Sequence, residues 1–222
     1  MIGEDPRATT HRGIQLEEAE DRRSIVAPGL RLTFATLGAR WTHALAVGGE
    51  AGRDLLEVAC AVESDPDRGD PARVVSPSYQ AVQPQACAGG VRMLLTGMSV
   101  PHHFSAVITA RREGDGPGAG VVIDVDVADR CRAPIAVLAA TYLVRLGSGA
   151  LLDAGPDRVV WGGGPLDQGR LEFTTEGGPD TVALAEAGRQ AARVQALARL
   201  QPTTFTQRLR YQWRWTPPGK DS

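Results

Sequence analysis

His102 and His103 are adjacent, and histidine is the side chain whose unperturbed pKa suits proton transfer near neutrality. Neighbours on a strand point to opposite faces, so one of the two can look into a given cleft, where His43, on the Trp41 face of an earlier strand, could complete an acid and base pair. Together they would not chelate one metal ion without a bulge. A histidine hydrogen-bonded to a loop at a strand start is the plainer structural alternative. Asp124 and Asp126 share a face, about 6.6–6.8 Å apart at a rise of roughly 3.3–3.4 Å per residue. Paired carboxylates suit glycoside chemistry, and with Asp129 they could hold a hard cation. A solvated face salt-bridged to arginines on the next strand produces the same alternation.

Arg208, Arg210 and Arg214 alternate with Leu209, Tyr211, Trp213 and Trp215, with Phe205 before them on the aromatic side. Interleaved arginines and aromatics are the materials of a nucleic-acid platform. Here, however, the two sets fall on opposite faces, and a net charge of −2 gives no general field for a polyanion. The aromatic side therefore reads as core and nucleic acid is not the expected partner. The glycines at 162–164 precede Pro165 and lack the Lys-Ser/Thr of a phosphate loop, so they read as a turn. The sequence has no Gly-x-Ser-x-Gly elbow, His-Glu-x-x-His helix or dinucleotide fingerprint, and no cofactor or metal is expected.

The elements that must position these groups are short. The 222 residues are 42% hydrophobic and 23% charged, the composition of a folded globular chain. No apolar run reaches the length needed to span a bilayer as a helix. The first residues lack a basic start and an apolar signal core, which points to a cytoplasmic address. Cys60, Cys87 and Cys131 are odd in number and without a Cys-x-x-Cys spacing, as expected of reduced structural thiols. Residues 1–28 are polar and charged and read as a loosely held arm with a helical turn near Leu16 to Arg23; residues 218–222 read as a disordered tail.

From residue 29 to 217 apolar residues alternate in short runs bounded by Gly, Pro and Asp. Leu30, Leu32 and Phe34 precede a break at Gly38, and Trp41, His43, Leu45 and Val47 follow it. Leu56, Val58, Cys60 and Val62 form another stripe, closed by a loop at 65–71. Val121, Ile123, Val125 and Val127 oppose Asp124 and Asp126. Residues 181–200 fit both periods, and their alanine content favours a helix. The expected architecture is all-β, a single antiparallel β-sandwich with at most one or two short helices.

Leu32 to Arg40, followed by Leu45 and by 52–56, resembles the opening strands of the galactose-mutarotase-like (aldose 1-epimerase-like) family. Leu200 to Phe205, running through Tyr211 and Trp213, is similar to that family's closing strand, and Val121 to Tyr142 with its polar turn at 129–134 is similar to its central hairpin. The resemblance covers about a third of the chain and implies a super-sandwich with a ligand cleft on one sheet. It implies a carbohydrate ligand and, in the family's enzymes, two histidines and a late glutamate that open and close a sugar ring. Carried over, this puts His102 and His103 with Glu186, or Glu176, in the catalytic positions, and Trp41, His43, Asp124, Asp126 and Trp161 around the ligand. The family's early Asn-Arg signature and His-Gly segment are absent, so fold kinship and chemistry separate here. The expected function is binding of a small polar ligand, a carbohydrate, with epimerase-type acid and base chemistry as a lesser version. The alternative is a non-catalytic structural or protein-interaction domain.

Overall fold

The computed structural model describes residues 9–11, 13–48, 59–63, 70–116, 118–163, 169–175, 181–187 and 191–219, with backbone alone at 9–11, 163 and 181–187. Regular structure in these residues is entirely β. The first half supplies β1 (Thr9–His11), β2 (Ile14–Glu18), β3 (Arg22–Ala27), β4 (Leu30–Leu37), β5 (Arg40–Val47), β6 (Ala59–Glu63), β7 (Arg73–Val74), β8 (Ala81–Cys87), β9 (Gly90–Ser99) and β10 (His102–Glu113). The second half supplies β11 (Gly120–Arg130), β12 (Val137–Leu146), β13 (Gly149–Ala154), β14 (Arg158–Gly163), β15 (Arg170–Thr174), β16 (Thr181–Ala187), β17 (Ala191–Leu197) and β18 (Thr206–Thr216).

The strands form two sheets, as the alternation predicts. A ten-stranded sheet runs β1-β2-β3-β4-β5-β6-β12-β17-β16, with β7 added in parallel to β12. An eight-stranded sheet runs β13-β14-β15-β18-β11-β10-β9-β8. The strand latest in the chain, β18, therefore lies inside its sheet, between β15 and β11. Local chemistry sets the hairpins. Gly38, with a left-handed φ of +62°, opens the two-residue loop that pairs Leu37 with Arg40, a conformation a Cβ would strain.

The core lies between the sheets. Leu30, Leu32 and Phe34 from β4 and Val121, Ile123, Val125 and Val127 from β11 are buried, as are Leu209, Tyr211, Trp213 and Trp215 from β18. Arg208 and Arg210 are exposed on the opposite face of β18, so that face division follows the sequence pattern. Trp213 packs with its ring centroid 4.5 Å from Phe173 and 5.2 Å from Tyr142. Fully burying an apolar side chain of this class contributes roughly 1.5–3 kcal/mol.

Four local expectations are corrected. Residues 14–27 are not an arm: β2 and β3 pair with each other and with β4, and Ile14 and Ile25 are fully buried beneath their charged neighbours. Residues 181–187 and 191–197 are an antiparallel strand pair rather than a helix, because β17 completes hydrogen bonding along β12 and buries Ala192, Val194 and Ala196. In β6 the stripe faces the other way: Ala59, Ala61 and Glu63 are buried while Cys60 and Val62 are half-buried. Phe205 precedes β18 and is 68% exposed, off the aromatic face. Leu56, Val58, the loop at 65–69, the turn at 164–165, Glu176 and residues 220–222 lie outside the described residues.

Candidate functional site

Two concavities collect candidate side chains. The first is a shallow groove of about 400 Å³ on the outer face of the eight-stranded sheet, across β9, β10, β11 and β18. Strand register builds it: Arg92, Thr109, Asp124 and Gln212 stand in one cross-strand row, and Leu94, Val107, Asp126 and Arg210 stand in the next. Asp124 is held from two sides, accepting from Arg111 Nε at 2.8 Å and from Gln212 Nε2 at 2.7 Å. Asp126 accepts from Arg210 Nε at 3.2 Å and has Arg208 at 3.7 Å. Arg92 also lines the groove, and its buried Nε has no hydrogen-bond partner among the described residues. The expected sharing of a face by the two aspartates and the arginine comb is present, and each exposed pair contributes little stability.

The second concavity is a pocket of about 230 Å³ where the segment 70–78 crosses the start of β10. Asp70, Pro71, Arg73, Ser99 and Val100 surround its mouth and are exposed; Val74, Ser76, His102 and Phe104 are its buried lining. The His102 ring lies parallel to that of Phe104, 5.5 Å away. Its Nδ1 is 2.8 Å from Asp129 Oδ2, and its Nε2 is 2.6 Å from the carbonyl oxygen of Pro71. A carbonyl only accepts, so Nε2 carries a proton and donates it, while Nδ1 and Asp129 share a second proton. Held this way, His102 pins the 70–78 segment to the sheet and has no basic nitrogen turned toward a ligand. Burial raises the Asp129 carboxyl pKa, with the His102 hydrogen bond acting in the opposite sense.

The remaining candidates do not join either concavity. His103 is exposed on the outer face, opposite Arg130 and four residues along β11 from Asp126. His43 is buried between the sheets, with Nε2 2.7 Å from the Tyr142 hydroxyl and Nδ1 3.2 Å, off line, from Glu63. The Tyr142 hydroxyl is in turn 2.7 Å from that of Tyr211, and burial raises the pKa of both phenols, keeping them protonated. Donation from Tyr211 to Tyr142 to His43 Nε2 uses both phenol hydrogens and leaves the imidazole proton on Nδ1, facing Glu63 off line. Trp161 is fully buried against Trp213, and Trp41 sits at the end of β5 under the Arg23 guanidinium, so neither floors a cleft with the aspartates. Glu186 lies in β16 at the far edge of the ten-stranded sheet, and its side chain lies outside the described structure.

Thus His102, His103, Asp124 and Asp126 do not converge on one cleft: His102 faces inward, and the other three lie on the outer face. Asp129 faces inward, opposite to Asp124 and Asp126, so the three carboxylates do not meet; no group able to hold a metal ion occurs among the described residues. Sequence reasoning missed Asp129 as the partner of His102, and it missed Glu63 and Ser76. The signal for the two acids was present: each occupies the next inward position of a buried stripe, after Val127 and after Ala61. No family model, curated protein or solved structure matches the chain, so any activity must be argued from this geometry.

Proposed function

We propose that the chain is a binding module for a small polyhydroxylated ligand, a carbohydrate, held in the groove on the outer face of the eight-stranded sheet. The observation that carries this reading is the pair of carboxylates fixed in place by Arg111, Gln212 and Arg210 beside Arg92, whose Nε has no partner among the described residues. Carboxylates accept from sugar hydroxyls, a guanidinium donates to ring and hydroxyl oxygens, and groups already held in position lose little freedom on binding. The mutarotase-like resemblance agrees with a ligand on one sheet face. No histidine lines the groove among the described residues, so the reading is binding without ring opening. Among the described residues no helix is long and apolar enough to cross a membrane, and the three cysteines are free thiols; a cytoplasmic setting fits the latter and belongs to the same proposal.

Titration of the protein with D-galactose and D-glucose by calorimetry and amide NMR tests this. The expected result is saturable binding with shifts at Arg92, Thr109, Asp124 and Asp126. Arg92→Ala or Asp124→Asn should then weaken it about tenfold, the loss of roughly 1.4 kcal/mol of charge-assisted hydrogen bonding. No saturation at millimolar sugar, or equal affinity in both variants, overturns the proposal.

A further inference from the structure

The pocket beside the 70–78 segment is separate from the groove and raises its own question: what satisfies Ser76? Its residue is 2% exposed, it lines the cavity, and its hydroxyl oxygen has no hydrogen-bond partner among the described residues. A buried hydroxyl left unpaired is destabilising, so such a group facing a cavity marks a place for a polar atom that the described residues do not supply. Two further donors converge there. Ser78 Oγ accepts from Gln80 Nε2 at 3.2 Å, which leaves its own hydrogen to donate into the pocket. Arg73, at the mouth, is exposed and makes no ion pair with any described residue. Asp70, across the mouth, has Oδ1 engaged by the Ala72 amide at 2.8 Å, and His102 Nε2 is occupied by Pro71. The rest of the described lining is Ser99, at the mouth, and the apolar Val74, Val100 and Phe104.

We infer that this pocket is a second small-molecule site, for a short-chain organic carboxylate. The carboxylate would take the planar guanidinium fork of Arg73 and the hydroxyls of Ser76 and Ser78, and its hydrocarbon end would lie against Val100 and Phe104. Arg73 is the one cation among the described lining residues, which suits a monoanion better than a phosphate dianion; the Asp70 carboxylate at the mouth has one oxygen tied to the Ala72 amide. The volume of about 230 Å³ is below the roughly 300–1,000 Å³ of drug-sized sites, which limits the ligand to a small metabolite. This site stands whether or not the outer groove binds sugar.

The test uses sodium propionate as probe on the full chain, followed by amide NMR, with propionamide as a neutral isostere and sodium chloride at matched ionic strength. The expected result is saturable shifts at Arg73, Ser76 and Ser78 with propionate, and affinity for propionamide lower by about tenfold or more. Arg73→Ala should weaken propionate by about ten- to a hundredfold, a typical range for a charged hydrogen-bonded pair. Ser76→Ala gives the second signature: it should weaken propionate while raising the melting temperature of the ligand-free chain, because an unpaired buried hydroxyl has been removed. Equal response to propionate and propionamide, or no response to either, overturns the inference. So does a Ser76→Ala variant that melts lower and binds propionate as before, since the hydroxyl would then serve an ordered water.

Discussion

Asp129 occupies a position where the inward stripe of β11 otherwise places valine and isoleucine, and its carboxyl is fully buried, with Oδ1 lacking a partner among the described residues. Burial therefore favours its protonated form, raising the pKa above the usual 3.8. A carboxyl whose pKa is higher folded than unfolded holds its proton longer in the native state. Its contribution is complete below pH 3.8 and is lost as pH climbs through the raised value. Urea midpoints taken from pH 3.5 upward should show the wild type losing stability across that window relative to Asp129→Asn, whose amide can donate to His102 Nδ1. Parallel pH profiles for the two proteins would refute this. At this scale the sequence was half legible. Alternation placed Asp124 and Asp126 outward and Tyr211, Trp213 and Trp215 inward, but pairing of His102 with Asp129 and Pro71 joins positions 27 and 31 residues away, which no local period records.

Elements here are set by what crosses them. The carbonyl oxygen of Ser78 passes so close to Gly97 of β9 that a Cβ built there would stand 1.9 Å from it, with Tyr79 Cα at 2.7 Å. That approach brings the segment carrying Ser76 and Ser78 over the sheet, so Gly97 shapes the pocket without lining it. Gly97→Ala should cost about 1–3 kcal/mol by overpacking, read as a lowered denaturation midpoint, and should displace the Ser76 and Ser78 amide resonances. An unchanged midpoint with unmoved resonances would show that the segment has room to spare. The strands that the sequence hid were hidden for physical reasons. In β2 and β3 the charged Glu17, Glu18, Arg22 and Arg23 mask Leu16 and Ile25, while Arg31 reaches Glu17 at 2.7 Å across the sheet. In β17 alanine fits helix and strand periods equally, and the choice falls to β12, a partner some fifty residues earlier.

Across the whole molecule the two sheets meet through more than apolar packing. Tyr211 of the eight-stranded sheet reaches Tyr142 of the ten-stranded sheet, which reaches His43 two strands over, so a polar chain crosses the core and fixes how the sheets align. Tyr211→Phe should lower unfolding free energy by about 0.5–1.5 kcal/mol, measured by chemical denaturation, and should be non-additive with Tyr142→Phe. Additive losses would mean that the hydroxyls act separately. The all-β class was legible because nearly every strand alternates; the sheet order was not, since β6 finds β12 and β11 finds β18 only in the folded chain. The interior place of β18 also bears on synthesis. Strands 8 to 11 and 13 to 15 are two half-sheets with no shared edge until residues 206–216 lie between them. During translation both halves keep bare edges until residues 206–216 clear the ribosome, a delay in which chaperones that shield open strand edges would matter most.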